Sequence, residues 1–413
     1  MPPVMKPTSL KGAIPRVSWT HLAREGIYLL SLVRAIKKTI FLAVDLIALQ
    51  AFKVPETKKG KLYVRLDAIG DYVLWASAIT RTTSGDDSAD ATLICSPGSY
   101  KFIESLDIFP RVIVVDPQVF VKSLSYRLRI LKEVSTLSPE IAIQPTYSRV
   151  LLTGDAIIRA SRARYRVGFD GDLANRSKLD RWIGDKWYTS LIKPVGRVTW
   201  EEHRNIQFMQ RVRSSFPGLY LAKTDRGGTA DSKGDVNQEG GILIFPGSGS
   251  HKKMWPITKY IALVEELKKV YPKKIYICGT QSERALGSAL CSSQNQGQVV
   301  NLVGAIDWTR LLERISKADL IIGNDSACVH LASYLGAKSI SILGGGHFGR
   351  FLPYPKDAGR NGPECIFHQM ECYGCDWKCM HPHARADPYP CIELVSVSDV
   401  MNRAVTLLKS QIL

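Results

Sequence analysis

Two successive series of short apolar runs, each alternating with helical patterns, decide what this chain can fold into. In the first series, runs at 62–66, 91–96, 112–116, 141–144 and 165–168 read as strands, with helical patterns at 72–83, 121–137 and 150–160 between several of them. The second series has strands expected at 242–245, 274–278, 299–303, 320–323 and 339–343, separated by helical patterns at 257–270, 282–290, 308–316 and 326–335. Strands separated by helices of this length predict βαβ units and mainly parallel sheets. A helix over 201–214 and a polar, glycine-rich stretch at 227–241 without periodicity lie between the two series. That stretch reads as a linker or surface loop, so the chain predicts two α/β domains in tandem, with the cleft between them a favoured ligand site.

At 413 residues the chain exceeds one ordinary core, and its 45% apolar content is that of a globular protein. Its formal charge of +17 favours anionic partners: nucleic acid, an anionic membrane surface, or phosphorylated glycans and nucleotides. Residues 21–52 alternate apolar clusters with Arg24, Arg34, Lys37 and Lys38, which suits one or two amphipathic helices with a basic face. Such an arm either packs on the protein's own surface or lies on anionic lipid headgroups. The longest apolar run, 39–52, is broken by Asp45 and too short to span a bilayer, and no secretory signal is evident. The expected location is the cytoplasm, with the inner face of the cytoplasmic membrane within reach of the arm.

Three stretches carry chemistry-bearing side chains to strand ends. The first, KLYVRLDAIGDYVL at 61–74, reads as strand, tight turn and helix start, with Gly70 in the turn and Asp71 either capping the helix or facing substrate at the sheet edge. The second, ILIFPGSGSHKKMWP at 242–256, runs a strand into Gly247, Ser248, Gly249 and Ser250. There, small residues admit phosphate to backbone N–H groups and Lys252 or Lys253 adds charge. Neither a P-loop nor a complete GxGxxG spacing is present, so a plain loop fits as well. In the third, 318–346, a buried strand delivers Asn324, Asp325 and Ser326 to a helix start, with His330 one turn later and a glycine run at 344–346 before His347. Asp325 suits two vicinal hydroxyls, Ser326 an N-cap, and His330 either a ligand contact or a structural role.

Together these stretches resemble the heptosyltransferase family of inverting glycosyltransferases, which add heptose to the lipopolysaccharide core. The likeness covers about residues 60–400 and rests on Gly70-Asp71 after a strand, Arg166-Val-Gly168-Phe169 closing the first sheet, Lys253-Met-Trp255-Pro256, and Asn324-Asp325-Ser326 with His330. It implies a GT-B fold of α/β class: two Rossmann-like domains facing across a cleft, here with an N-terminal helical arm. The segments expected are an arm at 1–57, an acceptor-binding domain at 58–215, a linker at 216–240, a nucleotide-sugar-binding domain at 241–395 and a C-terminal helix at 396–413. Carried over by position, Asp71 is the general base beside Gly70 on the acceptor side, and Lys253 meets the donor diphosphate. Asp325 holds the donor sugar, with Ser326 and His330 beside it; Ser248 and Gly249 fall on the phosphate loop, and Glu283 falls near the nucleoside. The donor implied is ADP-heptose, the acceptor an anionic glycolipid or glycan, and no catalytic cofactor is required. The 202–205 segment resembles an interdomain helix and receives no chemical role. Tyr72, the basic arm and the aromatic, basic loop at 344–355 depart from the family pattern.

Of nine cysteines, Cys372, Cys375, Cys379 and Cys391 cluster as C-x2-C-x3-C plus one, with His381 and His383 between and Cys365 and His368 as spares. Four thiolates suit a structural zinc or iron ion, and reduced thiols or one disulfide are the alternatives. Two rival functions stand beside the transferase: a non-catalytic, nucleotide- or nucleic-acid-binding protein, and a transferase using another nucleotide sugar on another glycan or a protein. The dispersed basic residues and the lack of a recognition helix disfavour nucleic acid.

Overall fold

A computed structural model describes residues 19–53, 55–82, 90–196, 200–216, 240–292, 297–382 and 387–409. Most of the expected linker and His383 lie outside them. The chain divides into two compact units, Met1–Lys53 and Val54–Leu413.

In the first unit, α1 (Trp19–Ala51) is one unbroken helix of 33 residues. Leu32, Ile36, Ile40 and Ile47 are exposed on it, at spacings that put them on one face. No helix among the described residues is long and apolar enough to cross a membrane.

The second unit holds two six-stranded sheets. The first comprises β1 (Lys61–Arg65), β2 (Ala91–Cys95), β3 (Arg111–Val114), β4 (Ile141–Gln144), β5 (Tyr165–Phe169) and β6 (Ser190–Ile192). Its helices are α2 (Ile69–Thr82), α3 (Pro97–Leu106), α4 (Pro117–Phe120), α5 (Leu124–Leu137), α6 (Ala156–Ser161) and α7 (Lys178–Asp185), and α8 (Glu201–Ser215) leaves it. The second sheet comprises β7 (Ile242–Phe245), β8 (Ile275–Ile277), β9 (Val299–Asn301), β10 (Leu320–Asn324), β11 (Ser339–Ile342) and β12 (Glu364–Ile366). With it go α9 (Ile257–Val270), α10 (Arg284–Ser292), α11 (Trp308–Lys317), α12 (Ala327–Tyr334), α13 (Pro390–Glu393) and α14 (Val397–Leu408).

Every strand pair recorded in both sheets is parallel, and the orders are β3-β2-β1-β4-β5-β6 and β12-β11-β10-β7-β8-β9. Counted from its own first strand, each sheet is doubly wound in the same order, reversing direction between its first and fourth strands. Ligands in such sheets bind beyond the carboxyl ends of the strands at that reversal. The central strands β1, β4 and β10 are buried on both faces, as parallel strands covered by helices must be.

Three expectations are corrected. β5 does not close the first sheet, because the three-residue β6, too short for a periodic signal, pairs outside it. The helix expected at 121–137 begins only at Leu124, because the Ser123 side chain caps α5 there, and the separate α4, capped by Asp116, ends before it at Phe120. The run at 150–160 opens as a π-helical turn (Leu151–Asp155) before α6, in which the buried Asp155 accepts from Tyr188 at 2.7 Å.

One apolar core continues from the first sheet into the second, including Tyr63, Trp75, Phe102, Phe208, Leu243, Ile321 and Leu331. Phe102 of α3 meets Tyr334 of α12 edge-on at 5.8 Å. The cleft between the sheets is therefore floored by packed side chains.

Candidate active site

The turn after β1 is Leu66-Asp67-Ala68, and α2 has already begun at Ile69. Asp71 is therefore not an N-cap but stands in the first turn of α2, and the turn's carboxylate is Asp67. Asp67 is well provided for: Arg65 Nε lies 3.1 Å from it and Thr146 Oγ1 donates to it at 2.9 Å. Asp71 has no hydrogen bond or ion pair within reach among the described residues. Burial lifts its pKa to about 7, helped by Asp67 and, less, by Glu201, and opposed by Arg65 and, less, by Arg350. The first sheet thus offers one fully engaged carboxylate and one open carboxylate close to neutrality, and only the second suits proton transfer.

Gly70 is not in the left-handed region. A Cβ there would stand 3.3 Å from His330 Cδ2 of α12, so the glycine serves the close approach of two helices from opposite halves. His330 is correspondingly buried, hydrogen-bonded to Tyr354 Oη at 2.9 Å and stacked on that ring. Burial, with Arg360 nearby, pushes its pKa down to about 3. It braces the interface and does not line the cleft.

At the second sheet's reversal, the loop after β7 is held by Asn324, the buried last residue of β10. Its Nδ2 donates to the carbonyls of Pro246 and Gly247 at 2.8 and 3.0 Å, while its Oδ1 accepts from Trp255 N–H at 2.9 Å. Gly249 faces open space. Glu283 closes a capping box with Thr280 and lies against Gly247, where a Cβ would overlap its carboxylate. Lys253 ends a short 3-10 turn (His251–Lys253) anchored by the buried Trp255. Burial lowers the Lys253 pKa against the pull of Asp325 and Asp376, and pushes Asp325 up to about 6 against the pull of Lys253. Ser326 occupies the N-cap position of α12 without capping it, its hydroxyl lying 3.3 Å from Cys328 Sγ.

A cleft of about 440 Å³ joins the two halves, within the range of small-molecule sites. Asp67, Asp71, Thr146, Tyr147 and Glu201 line it from the first half, and His347, Arg350, Asp376 and Trp377 from the second. The sequence reading missed most of these. Arg350 reaches across to Glu201 at 3.0 Å and donates to Ser148 Oγ at 3.0 Å. Arg360 pairs with the buried Glu202 at 2.5 Å, so the start of α8 locks the halves together electrostatically. The acidic pair opening α8 and the aromatic, basic loop before 355 were the available signals.

The cysteine turn reaches the same cleft. Asp376 and Trp377 both adopt left-handed backbone, at φ 53° and 59°, which costs roughly 1–2 kcal/mol per residue. Trp377 Nε1 donates to His347 Nδ1 at 3.2 Å, so the imidazole proton sits on Nε2, which donates to Asp376 at 2.8 Å. Cys372, Cys375, Cys379 and Cys391 line one small pocket with Trp377 and Tyr389. Among the described residues, no three His, Cys, Asp or Glu side chains are grouped to hold a metal ion. Burial pushes the Cys391 and Cys372 thiols up, and the neighbouring cysteines of the cluster add to the shift.

Comparison with known proteins gives three similar solved structures. A glycosyl transferase family 9 protein from Veillonella parvula DSM 2008 aligns with 14% identity over 87% of this chain and 100% of its own, with a TM-score of 0.62. E. coli ADP-heptose lps heptosyltransferase II aligns with 14% identity over 85% of this chain and 99% of its own, at 0.57. E. coli heptosyltransferase WaaC with ADP aligns with 13% identity over 85% and 98%, at 0.55. At such identities these likenesses establish the two-sheet GT-B fold. No curated protein matches the sequence. The model of glycosyltransferase family 9 (heptosyltransferase) matches residues 152–373, more than half of the chain. On that match, the chain belongs to glycosyltransferase family 9 and is a glycosyltransferase.

Proposed function

We propose that the chain transfers a heptose or related sugar, with inversion, from an ADP-sugar to a hydroxyl of a lipopolysaccharide-type glycan. The observation that carries this reading is the open, near-neutral Asp71 carboxylate in a cleft whose other wall, at Trp377, borders Lys253. Asp71 takes the acceptor proton as the oxygen attacks the anomeric carbon, a contribution of roughly 100- to 10,000-fold for a positioned base. The bond to the nucleoside diphosphate breaks as the new glycosidic bond forms. Lys253, the N–H groups around Ser248 and Gly249, and the start of α12 then stabilise the leaving diphosphate. Asp325 accepts from donor-sugar hydroxyls, and Glu283 orders the loop beside the nucleoside. This scheme draws its charge stabilisation from the protein and needs no metal at the reacting atoms.

The ADP assignment is supported by family membership and by the E. coli structure solved with ADP, whose fold this chain shares. Calorimetry with ADP, UDP and GDP tests it: tightest binding of ADP is expected. A preference for UDP or GDP would move the donor, and salt-sensitive DNA binding without nucleotide binding would favour the non-catalytic alternative. The exposed apolar face of α1, with Lys37 beside it, supports contact with an anionic membrane at the cytoplasmic face. Flotation with anionic vesicles should be lost when residues 1–57 are removed, and equal recovery would count against it.

A further inference from the structure

We propose that the turn containing Asp376 and Trp377 is a positioning element for the donor site, with the Trp377 ring holding the Lys253 ammonium beside the cleft wall. The inference rests on the reading of Lys253 as the diphosphate lysine. Lys253 Nζ stands 4.1 Å from the centroid of the Trp377 ring, close enough for the ring face to hold a cation. A flexible four-carbon stem otherwise leaves a lysine ammonium free to turn toward bulk water, so an aromatic floor selects the position over the Trp377 ring, at the cleft wall.

The rest of the turn is built to keep that ring in place. Gly374 and Asp376 N–H groups donate to the carbonyls of Gly345 and Gly346, at 2.8 and 2.9 Å. A Cβ on Gly345 would come within 2.2 Å of the Tyr373 ring, and one on Gly346 within 2.2 Å of the Trp377 ring. The glycine run after β11 is therefore the seat on which the turn docks. Trp377 also stacks on Tyr389 at 5.4 Å and donates to His347. The same side chain lines both the catalytic cleft and the cysteine pocket, so the cysteines frame the residue that fixes the lysine. Two consecutive non-glycine residues in the left-handed region, both bordering the cleft, accord with a functional constraint.

The test is a double-mutant cycle read by calorimetry on the full chain, with ADP, or with UDP or GDP if the wild type binds one of them tighter. Trp377→Leu should weaken binding about tenfold, the size expected of a desolvated cation–aromatic contact, and Lys253→Ala, which also removes the diphosphate contact, should weaken it at least as much. The double variant should bind no worse than Lys253→Ala alone. Trp377→Tyr, which keeps a ring under the ammonium, should recover most of the affinity. Trp377→Met replaces the leucine variant if the latter does not fold. A Lys253→Ala variant that binds like the wild type would overturn the donor-site reading itself. With Lys253 effective, independent additive losses, or unchanged affinity in Trp377→Leu, would overturn the role given to Trp377.

Discussion

At the reversal of the first sheet the groups presented are Asp67, Asp71 and nearby Glu201; at the reversal of the second they are a small-residue loop and Lys253, with Asp325 and Asp376 close to the lysine. The two sheets share a strand order, yet one edge gathers carboxylates around Asp71 and the other sets a lysine between aspartates beside a small-residue loop. The difference arises immediately after the first strand of each sheet. Beyond β1 the chain enters α2 within three residues and places Asp71 on the helix. Beyond β7 it runs through Pro246–Ser250, tied down by Asn324, before Lys253 and α9. In the proposed mechanism one topology serves two tasks, activating an oxygen and retaining a diphosphate. Arg350 links them, as the second half's cation set against the first half's acids.

The strongest way to break this division is Asp71→Asn. It should lower kcat by about 100- to 10,000-fold while leaving nucleotide affinity near that of the wild type. Full turnover, or a loss confined to ADP binding, would erase the distinction between the edges.

A pH profile sharpens it next. A carboxylate whose pKa is raised to about 7 is increasingly protonated below that pH, so kcat/KM should fall about tenfold per unit on the acidic side. Nucleotide binding should not follow the same limb. An acidic limb at the ordinary carboxylate range of about 4 would mean that Asp71 is not the titrating base.

The smallest effect is expected from Gly70→Ala, where the added Cβ meets His330 Cδ2 at 3.3 Å and the helices need to part by only tenths of an ångström. A slightly lower melting temperature with little change in kcat is expected; a loss as large as that of Asp71→Asn would show that Gly70 contributes to the chemistry directly.

Much of the framework was legible in order and spacing. Strands at 141–144 and 242–245 and the helix at 257–270 coincide with β4, β7 and α9, because each is a clean apolar pattern bounded by turn residues. What escaped was short or non-local. β6 and β12 have three residues each, too few to announce a period. Glu201 and Arg350 lie 149 positions apart, and no local pattern relates them. No local pattern marks Trp377, whose position depends on Gly345 and Gly346, about thirty residues earlier in the chain.

The sequence by itself determined the alternation, the two parallel sheets and the residue types available at their edges, since apolar periodicity and turn chemistry are local properties. Only the tertiary structure decided which of those residues share a cleft. It put Asp71 on a helix and not at a cap, turned His330 away into the interface, and brought Trp377 beneath Lys253. Burial, close approach and the electrostatic neighbours of a carboxylate are set by segments distant in the chain, and they exist only once the two sheets have packed.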